Sequence, residues 1–281
     1  MASPQHFDGL TNRGGEAFVS YTAADSAVNW SEELEAVHAE ASRTHFLDRW
    51  TRRAIIDGIA PLPPRPTIAD LGCSTGFLLE DLRETHPDAT LIGVDMIAAG
   101  LRKAHAAVPE AKLLQADVCE LPLADQSLDA VVSANLLEHV PDDRRALREI
   151  ARVLKPGAPA ALVVPAGPRT FDYYDRFLGH ERRYARGELA EKCRAAGLEP
   201  REDRHLASLV YPAFWLVKQR NRRRYDHLRG DALEARVTQD IARTTDSRLG
   251  ELTWQLEDRL VGAGLRLPFG IRSFVVAWRK S

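Results

Sequence analysis

IADLGCSTG, Ile68 to Gly76, is a short apolar run that stops on a glycine-flanked turn, and it admits two readings. Gly72-Cys73-Ser74-Thr75-Gly76 fits G-x-S-x-G, the strained strand-to-helix elbow that exposes a nucleophilic serine in hydrolases. It also fits the glycine-rich turn between a first strand and a first helix, where a nucleotide can approach the backbone. The elbow requires a downstream acid and histidine, an oxyanion loop upstream, and a place deep in the sheet. Histidines do follow (His139, His180, His205, His227), but this turn ends the first convincing strand and no HGGG-type loop precedes it. Ser74 reads as a loop residue.

Working outward, the rhythm from 67 to 167 is strand–helix–strand. TLIGVD (90–95), KLLQAD (112–117), SLDAVVSAN (127–135) and APAALVVPAG (158–167) read as strands. Between them FLLEDLRETH (77–86), MIAAGLRKAHAAV (96–108) and DDRRALREIARVLKPG (142–157) read as helices, the last closed by Pro-Gly. Near-continuous apolar strands alternating with helices imply a parallel sheet covered on both faces, and right-handed crossovers make it a doubly wound α/β sheet.

The demands of a cofactor turn are met further along the chain. The second strand ends in Asp95, 19 residues after Gly76, where a carboxylate can bridge a ribose diol. The third ends in Asp117, placed to meet an adenine amino group, with the Val118 N–H beside it. The fourth ends in Asn135, next to the crevice expected at the carboxyl ends of the strands. The rival account is that Asp95 and Asp117 each simply cap a following helix. A dinucleotide is poorly matched, because Ser74 replaces the middle glycine of G-x-G-x-x-G and Leu78 or Leu79 stands where the third would fall. Asp70 beside the turn repels phosphate but suits an ammonium and a sulfonium, which S-adenosyl-L-methionine carries.

DLGCSTG, GVDM, QADV, LDAVVSANLLEHV and LKPG, in this order, resemble the class I S-adenosylmethionine-dependent methyltransferases, especially the bacterial group acting on small molecules. The likeness spans 67–165 closely and 180–200 loosely. It implies a Rossmann-like sheet of seven strands with the last antiparallel, for which 273–280 is suited. It implies further that Asp70, Gly72, Cys73, Ser74 and Gly76 cradle the amino-acid part of the cofactor. Asp95 and Met96 then take the ribose side, Asp117 and Val118 the adenine, and Asn135 and Leu136 the methionine side. Ser74 departs from the family's usual glycine and carries strain if its φ is positive.

Four regions follow from this reading: an N-terminal helical lid (1–65), the cofactor-binding core (66–204), a helical cap or interface (205–267) and the final strand (268–281). The core includes an acceptor-side loop at 165–187. PLPPRP (61–66) marks the first boundary. Tyr21, Trp30, His38, His45 and Trp50 are candidates for the lid, with core packing as the rival account of the tryptophans. His139, in LLEHVPDD, is a candidate general base or a loop-fixing histidine. FDYYDRFLGHERRYARGEL (171–189) offers Tyr173, Tyr174, Phe177, His180, Arg182, Arg183 and Tyr184 as an aromatic, basic acceptor pocket, or as a latch for the next helix. His180 and Tyr184 are second candidates for the base.

The formal net charge of −2 gives no reason to expect nucleic acid as a partner. N-P-P-Y, the signature of amide-nitrogen or base methylation, is absent, Asn135-Leu136-Leu137-Glu138 standing in its place. Three scattered cysteines without C-x-x-C argue against a cysteine-rich zinc site and suit a reducing compartment, and no metal constellation of the catechol-methylating type is expected. With no signal peptide and no spanning segment, a cytoplasmic protein is expected. KQRNRRRYDHLR (218–229), with six basic residues, reads as a solvated helix face or a weak contact with an anionic surface. The expected function is methyl transfer to a small-molecule acceptor in specialised-metabolite or modified-sugar biosynthesis, in a monomer or homodimer. The alternatives are a cofactor-binding enzyme of non-transfer chemistry such as cyclisation, a Ser74 hydrolase and an NAD enzyme.

Overall fold

The computed structural model describes residues 17–21, 43, 45–242 and 248–280. Eight strands form one sheet: β1 (Val19–Ser20), β2 (Thr67–Leu71), β3 (Thr90–Asp95), β4 (Lys112–Gln115), β5 (Ala130–Ala134), β6 (Pro159–Pro165), β7 (Leu198–Leu206) and β8 (Arg272–Arg279). Their order is β1-β4-β3-β2-β5-β6-β8-β7. The first six strands of that order are parallel, β8 runs antiparallel to β6, and β7 pairs antiparallel with β8. The expected doubly wound sheet with an antiparallel last strand is therefore present, with one strand more than expected. The addition is β1, a two-residue edge on β4 lying in a polar stretch, too short to leave a periodic signal.

The strands are covered because their side chains are apolar on both faces. On one face α1 (Phe46–Gly58), α2 (Phe77–Thr85) and α3 (Ala98–Ala107) bury Trp50, Ile55, Leu79, Leu82 and Leu101 against β2, β3 and β8. On the other, α4 (Asp143–Val153) and α6 (Glu188–Ala195) bury Leu147, Ile150, Leu189 and Cys193, with the short α5 (Tyr173–Phe177) before α6. α4 begins where Asp142 caps the Arg145 N–H at 2.9 Å, and its buried residues recur at helical spacing.

Between β7 and β8 lie α7 (Tyr211–Tyr225), α8 (Gly230–Ala242) and α9 (Arg248–Gly262). α9 packs on α1, with Trp254 stacked on Trp50 at 5.9 Å and Arg49 paired with Glu251. Trp50 is thus a core residue, Tyr21 is exposed, and Trp30 and His38 lie outside the described residues. Among the described residues no helix is long and apolar enough to cross a membrane.

Candidate functional site

Strand order reverses at β2, whose neighbours are β3 on one side and β5 on the other. The carboxyl ends of these strands open into a crevice of about 980 Å³. The turn after β2 lies along its floor. Gly72 N–H and Cys73 N–H donate to the Val94 carbonyl at 2.8 and 3.1 Å, which ties the turn to β3. Gly72 has φ +76°, and a Cβ there would come within 3.0 Å of the Leu136 side chain. The turn thus needs glycine for both its backbone and its clearance.

Ser74 has φ +47°, the left-handed conformation that costs an L-residue about 1–2 kcal/mol. Its N–H donates to Asp95 Oδ2 at 2.8 Å, while Asp95 Oδ1 accepts from the Ile97 N–H at 2.9 Å. Asp117 Oδ1 similarly accepts from the Cys119 N–H at 2.8 Å. Both acids therefore brace local backbone turns rather than cap a helix, as the rival reading had it, and both line the crevice. One role does not exclude the other, since an ionised carboxylate has about four acceptor positions.

Asp70 is different. It is 1% exposed, its Oδ2 has no hydrogen-bond partner, and it faces the crevice beside the turn. Burial, and secondly the nearby Asp95 charge, push its carboxyl up to about 8. A carboxylate in that position lacks a cation. The unpartnered oxygen, the glycine cradle under Leu136 and the two acids at the ends of β3 and β4 suit a nucleoside bearing an ammonium group.

Of the expected cofactor residues, Asp70, Gly72, Cys73, Ser74, Asp95, Met96, Asp117, Val118, Asn135 and Leu136 line this crevice. Gly76 does not. Its φ is +89° and a Cβ would come within 2.9 Å of the Ala104 Cα, so it serves the close packing of α2 against α3.

The other end of the crevice is built from the turn after β5, the segment around α5, and α7. His139 and His180 meet there with ring centroids 4.7 Å apart at 81°. Glu138, which sequence reasoning passed over, joins them. Its side chain is 1% exposed, and burial pushes its carboxyl up to about 7. His180 Nδ1 lies 2.9 Å from Asp175 Oδ1, and Arg183 Nε donates to the same oxygen at 2.6 Å. Lys218 Nζ donates to Asp172 at 2.8 Å and lies 3.6 Å from Asp175. Burial alone would raise Asp175. The His180 hydrogen bond and the charges of Arg183 and Lys218 instead hold it well below the usual carboxylate range.

Two expectations are corrected here. Tyr184 is fully buried and does not line the crevice; its hydroxyl sits 2.7 Å from Asp143 Oδ2 and 3.2 Å from the Leu137 carbonyl. Burial, and then Asp143, raise its pKa, which removes it as a base. Lys218, the first residue of the basic run, is not on a solvated face but buried among acids in the crevice wall, because α7 turns it inward with Phe214 and Asn221. Arg182 grips the Val140 and Pro141 carbonyls at 2.8 and 2.9 Å, a latch, whereas Tyr173, Tyr174, His180 and Arg183 line the pocket. His45 lines it too, from the start of α1. No local pattern announces Asp172, Asp175 or Lys218 as one cluster, since 43 residues separate Asp175 from Lys218 and only the packing of α5 on α7 unites them.

Residues 69–162 match the model of a methyltransferase domain. A demethylmenaquinone methyltransferase of Thermus thermophilus is 40% identical over 113 residues, 39% of this chain and 50% of that protein. A trans-aconitate 2-methyltransferase of Deinococcus radiodurans is 36% identical over 112 residues, 40% of this chain and 42% of that protein. This chain therefore spans about half, or less, of the curated relatives it matches. In fold, phosphoethanolamine N-methyltransferase 2 of Haemonchus contortus, solved with S-adenosyl-L-methionine, aligns with a TM-score of 0.60 at 15% identity. That alignment covers 89% of this chain and 58% of the other. The matched segment holds the glycine turn and the strand-end acids, and it marks residues 69–162 as a methyltransferase domain of the class I S-adenosylmethionine-dependent kind.

Proposed function

We propose that this protein transfers a methyl group from S-adenosylmethionine to a small-molecule acceptor, in specialised-metabolite or modified-sugar biosynthesis. Asp70 carries the reading: a buried carboxylate with an unpartnered oxygen beside the glycine turn, in one crevice with Asp95 and Asp117. A pyrophosphate would be repelled there, whereas an ammonium restores the ionised carboxylate. Asp70 holds that ammonium, Asp95 the ribose diol, and Asp117 with the Val118 N–H the adenine. Gly72, Asn135 and Leu136 border the thioether. The donor supplies, when bound, a methyl group on a positive sulfur that departs as a neutral thioether.

The protein is then left with three tasks. It holds the acceptor in line with the transferred carbon, a matter of proximity and orientation. Residues of α1 and α7 cover the crevice, which keeps water from the donor. An acceptor hydroxyl or acidic carbon must also lose a proton, and the corner of Glu138, His139 and His180 is where this chain can deal with it. The small-molecule class is supported by the relatives, whose names specify demethylmenaquinone and trans-aconitate methyl transfer.

Calorimetric titration with S-adenosylmethionine, S-adenosylhomocysteine and NAD, side by side, tests the donor. Saturable binding of the first two and none of NAD is expected, after which an acceptor screen follows product formation. Binding of NAD alone, or of none, refutes the reading. Binding without methyl transfer to any acceptor, together with turnover of an unmethylated product, would favour the cyclisation alternative.

A further inference from the structure

We infer that Glu138, His139 and His180 form a binding site for a divalent first-row transition-metal ion, facing the acceptor end of the crevice. If the methyl-transfer reading holds, the acceptor class follows: a small molecule whose oxygen, or pair of vicinal oxygens, completes the metal's coordination shell.

The geometry carries this. One ligand atom from each of the three side chains lies within 4.8 Å of the other two, close enough for a single ion to span. The two imidazoles stand at 81° to one another rather than stacked, so their nitrogens can converge on a common point. Glu138 is 1% exposed, and neither carboxylate oxygen meets a donor from another residue. A buried acid without a donor is costly, and a cation removes that cost. Two imidazoles and one carboxylate form a donor set suited to zinc, manganese, iron or cobalt rather than to calcium or magnesium, which take oxygen ligands.

The surroundings orient the ligands as a metal site needs. His180 Nδ1 is 2.9 Å from Asp175 Oδ1, so the nitrogen left for coordination is Nε2. Asp175 is itself held by Arg183, with Lys218 nearby, which is the outer carboxylate that fixes a ligating histidine's tautomer. The two ligand segments are stapled together. Glu181 N–H donates to the Glu138 carbonyl at 2.8 Å, and Arg182 bonds the carbonyls of Val140 and Pro141. The Tyr184 hydroxyl braces the Leu137 carbonyl from behind, which gives that residue a positioning role. The site therefore exists before an ion arrives. All three ligands line the crevice, so the remaining coordination positions open toward the acceptor.

The rival is a proton relay with no ion, in which Glu138 shares a proton with a histidine. Tag-free protein, stripped with a chelator and exchanged into metal-free buffer, is titrated with Zn²⁺ by calorimetry and with Co²⁺ by visible absorption. One ion per chain is expected, with ligand-field bands from cobalt. His180→Ala and Glu138→Gln should each weaken Zn²⁺ binding at least tenfold, and Asp175→Asn about 10–100-fold through the outer shell. Adenosylhomocysteine affinity, measured on the same samples, shows that the variants are folded and reports separately on the donor site. Failure of the wild-type chain to bind either ion stoichiometrically overturns the proposal. So does Zn²⁺ binding that His139→Ala and His180→Ala leave unchanged. Loss of adenosylhomocysteine binding with the metal retained would instead overturn the methyltransferase reading and leave the metal site standing.

Discussion

Replacing Asp70 by Asn should stabilise the fold while weakening the donor, a combination that few substitutions produce. In the folded chain burial and the Asp95 charge push the Asp70 carboxyl up to about 8, against an ordinary carboxyl pKa near 3.9 in the unfolded chain. Between those values the folded state keeps a proton that the unfolded state has lost. Stability attributable to this group therefore falls as pH rises from about 4 to about 8. At pH 7 the two states differ by roughly 3 pH units, each worth about 1.36 kcal/mol, giving a ceiling of about 4 kcal/mol. Relaxation of the surroundings around the charged form lowers that ceiling, so about 2–4 kcal/mol is the expected gain for Asp70→Asn at neutral pH.

Urea denaturation of both proteins at intervals from pH 5 to pH 9 measures it. The gap, already open at pH 5, should widen to about pH 8 and then level, with the variant the more stable throughout. Adenosylhomocysteine should bind the variant about 10–100-fold more weakly, since a hydrogen bond to a charged partner contributes about 1.5–3 kcal/mol. Binding to the wild-type protein near pH 7 should also release a fraction of a proton, read from calorimetry in buffers of different ionisation enthalpy. Equal stabilities across the pH range, or a variant less stable than wild type, would refute the reasoning. Either result would mean that Asp70 already has a cation or donor in the free protein.

Asp95→Ala removes the acceptor of the Ser74 and Ile97 N–H groups and should weaken adenosylhomocysteine by roughly 1–3 kcal/mol; unchanged calorimetric affinity would displace the ribose from this position. Ser74→Gly relieves a left-handed serine but adds unfolded-state freedom, so its stability should shift by no more than about 1 kcal/mol while methyl transfer survives. Loss of activity in that variant would revive the serine nucleophile. Tyr184→Phe should lower stability by about 1–2 kcal/mol in thermal unfolding and leave the pH profile of turnover in place, whereas a shifted profile would return Tyr184 to the candidate bases.

The sequence by itself determined the sheet and the half of the crevice at the ends of β2, β3 and β4. Alternating apolar runs and helices dictate parallel strands, and parallel strands align their carboxyl ends, so residues that close consecutive runs gather without any knowledge of packing. Asp70, Asp95, Asp117 and Asn135 are such residues, and they line one crevice. Gly76 shows a limit of that logic, because the motif supplies a glycine without saying whether a ligand or Ala104 requires it. The two-residue β1 shows another, being shorter than any period.

Only the tertiary structure decided the other half. Glu138 and His139 leave the end of β5, His180 follows α5, and Lys218 arrives from α7, so their meeting depends on how non-adjacent segments pack. Side-chain direction settled the rest. Tyr184 points into the core and Lys218 into the crevice, the reverse of what their places in an aromatic loop and a basic run suggested. Local periodicity specifies where backbone ends fall, whereas the company a side chain keeps depends on long-range contacts.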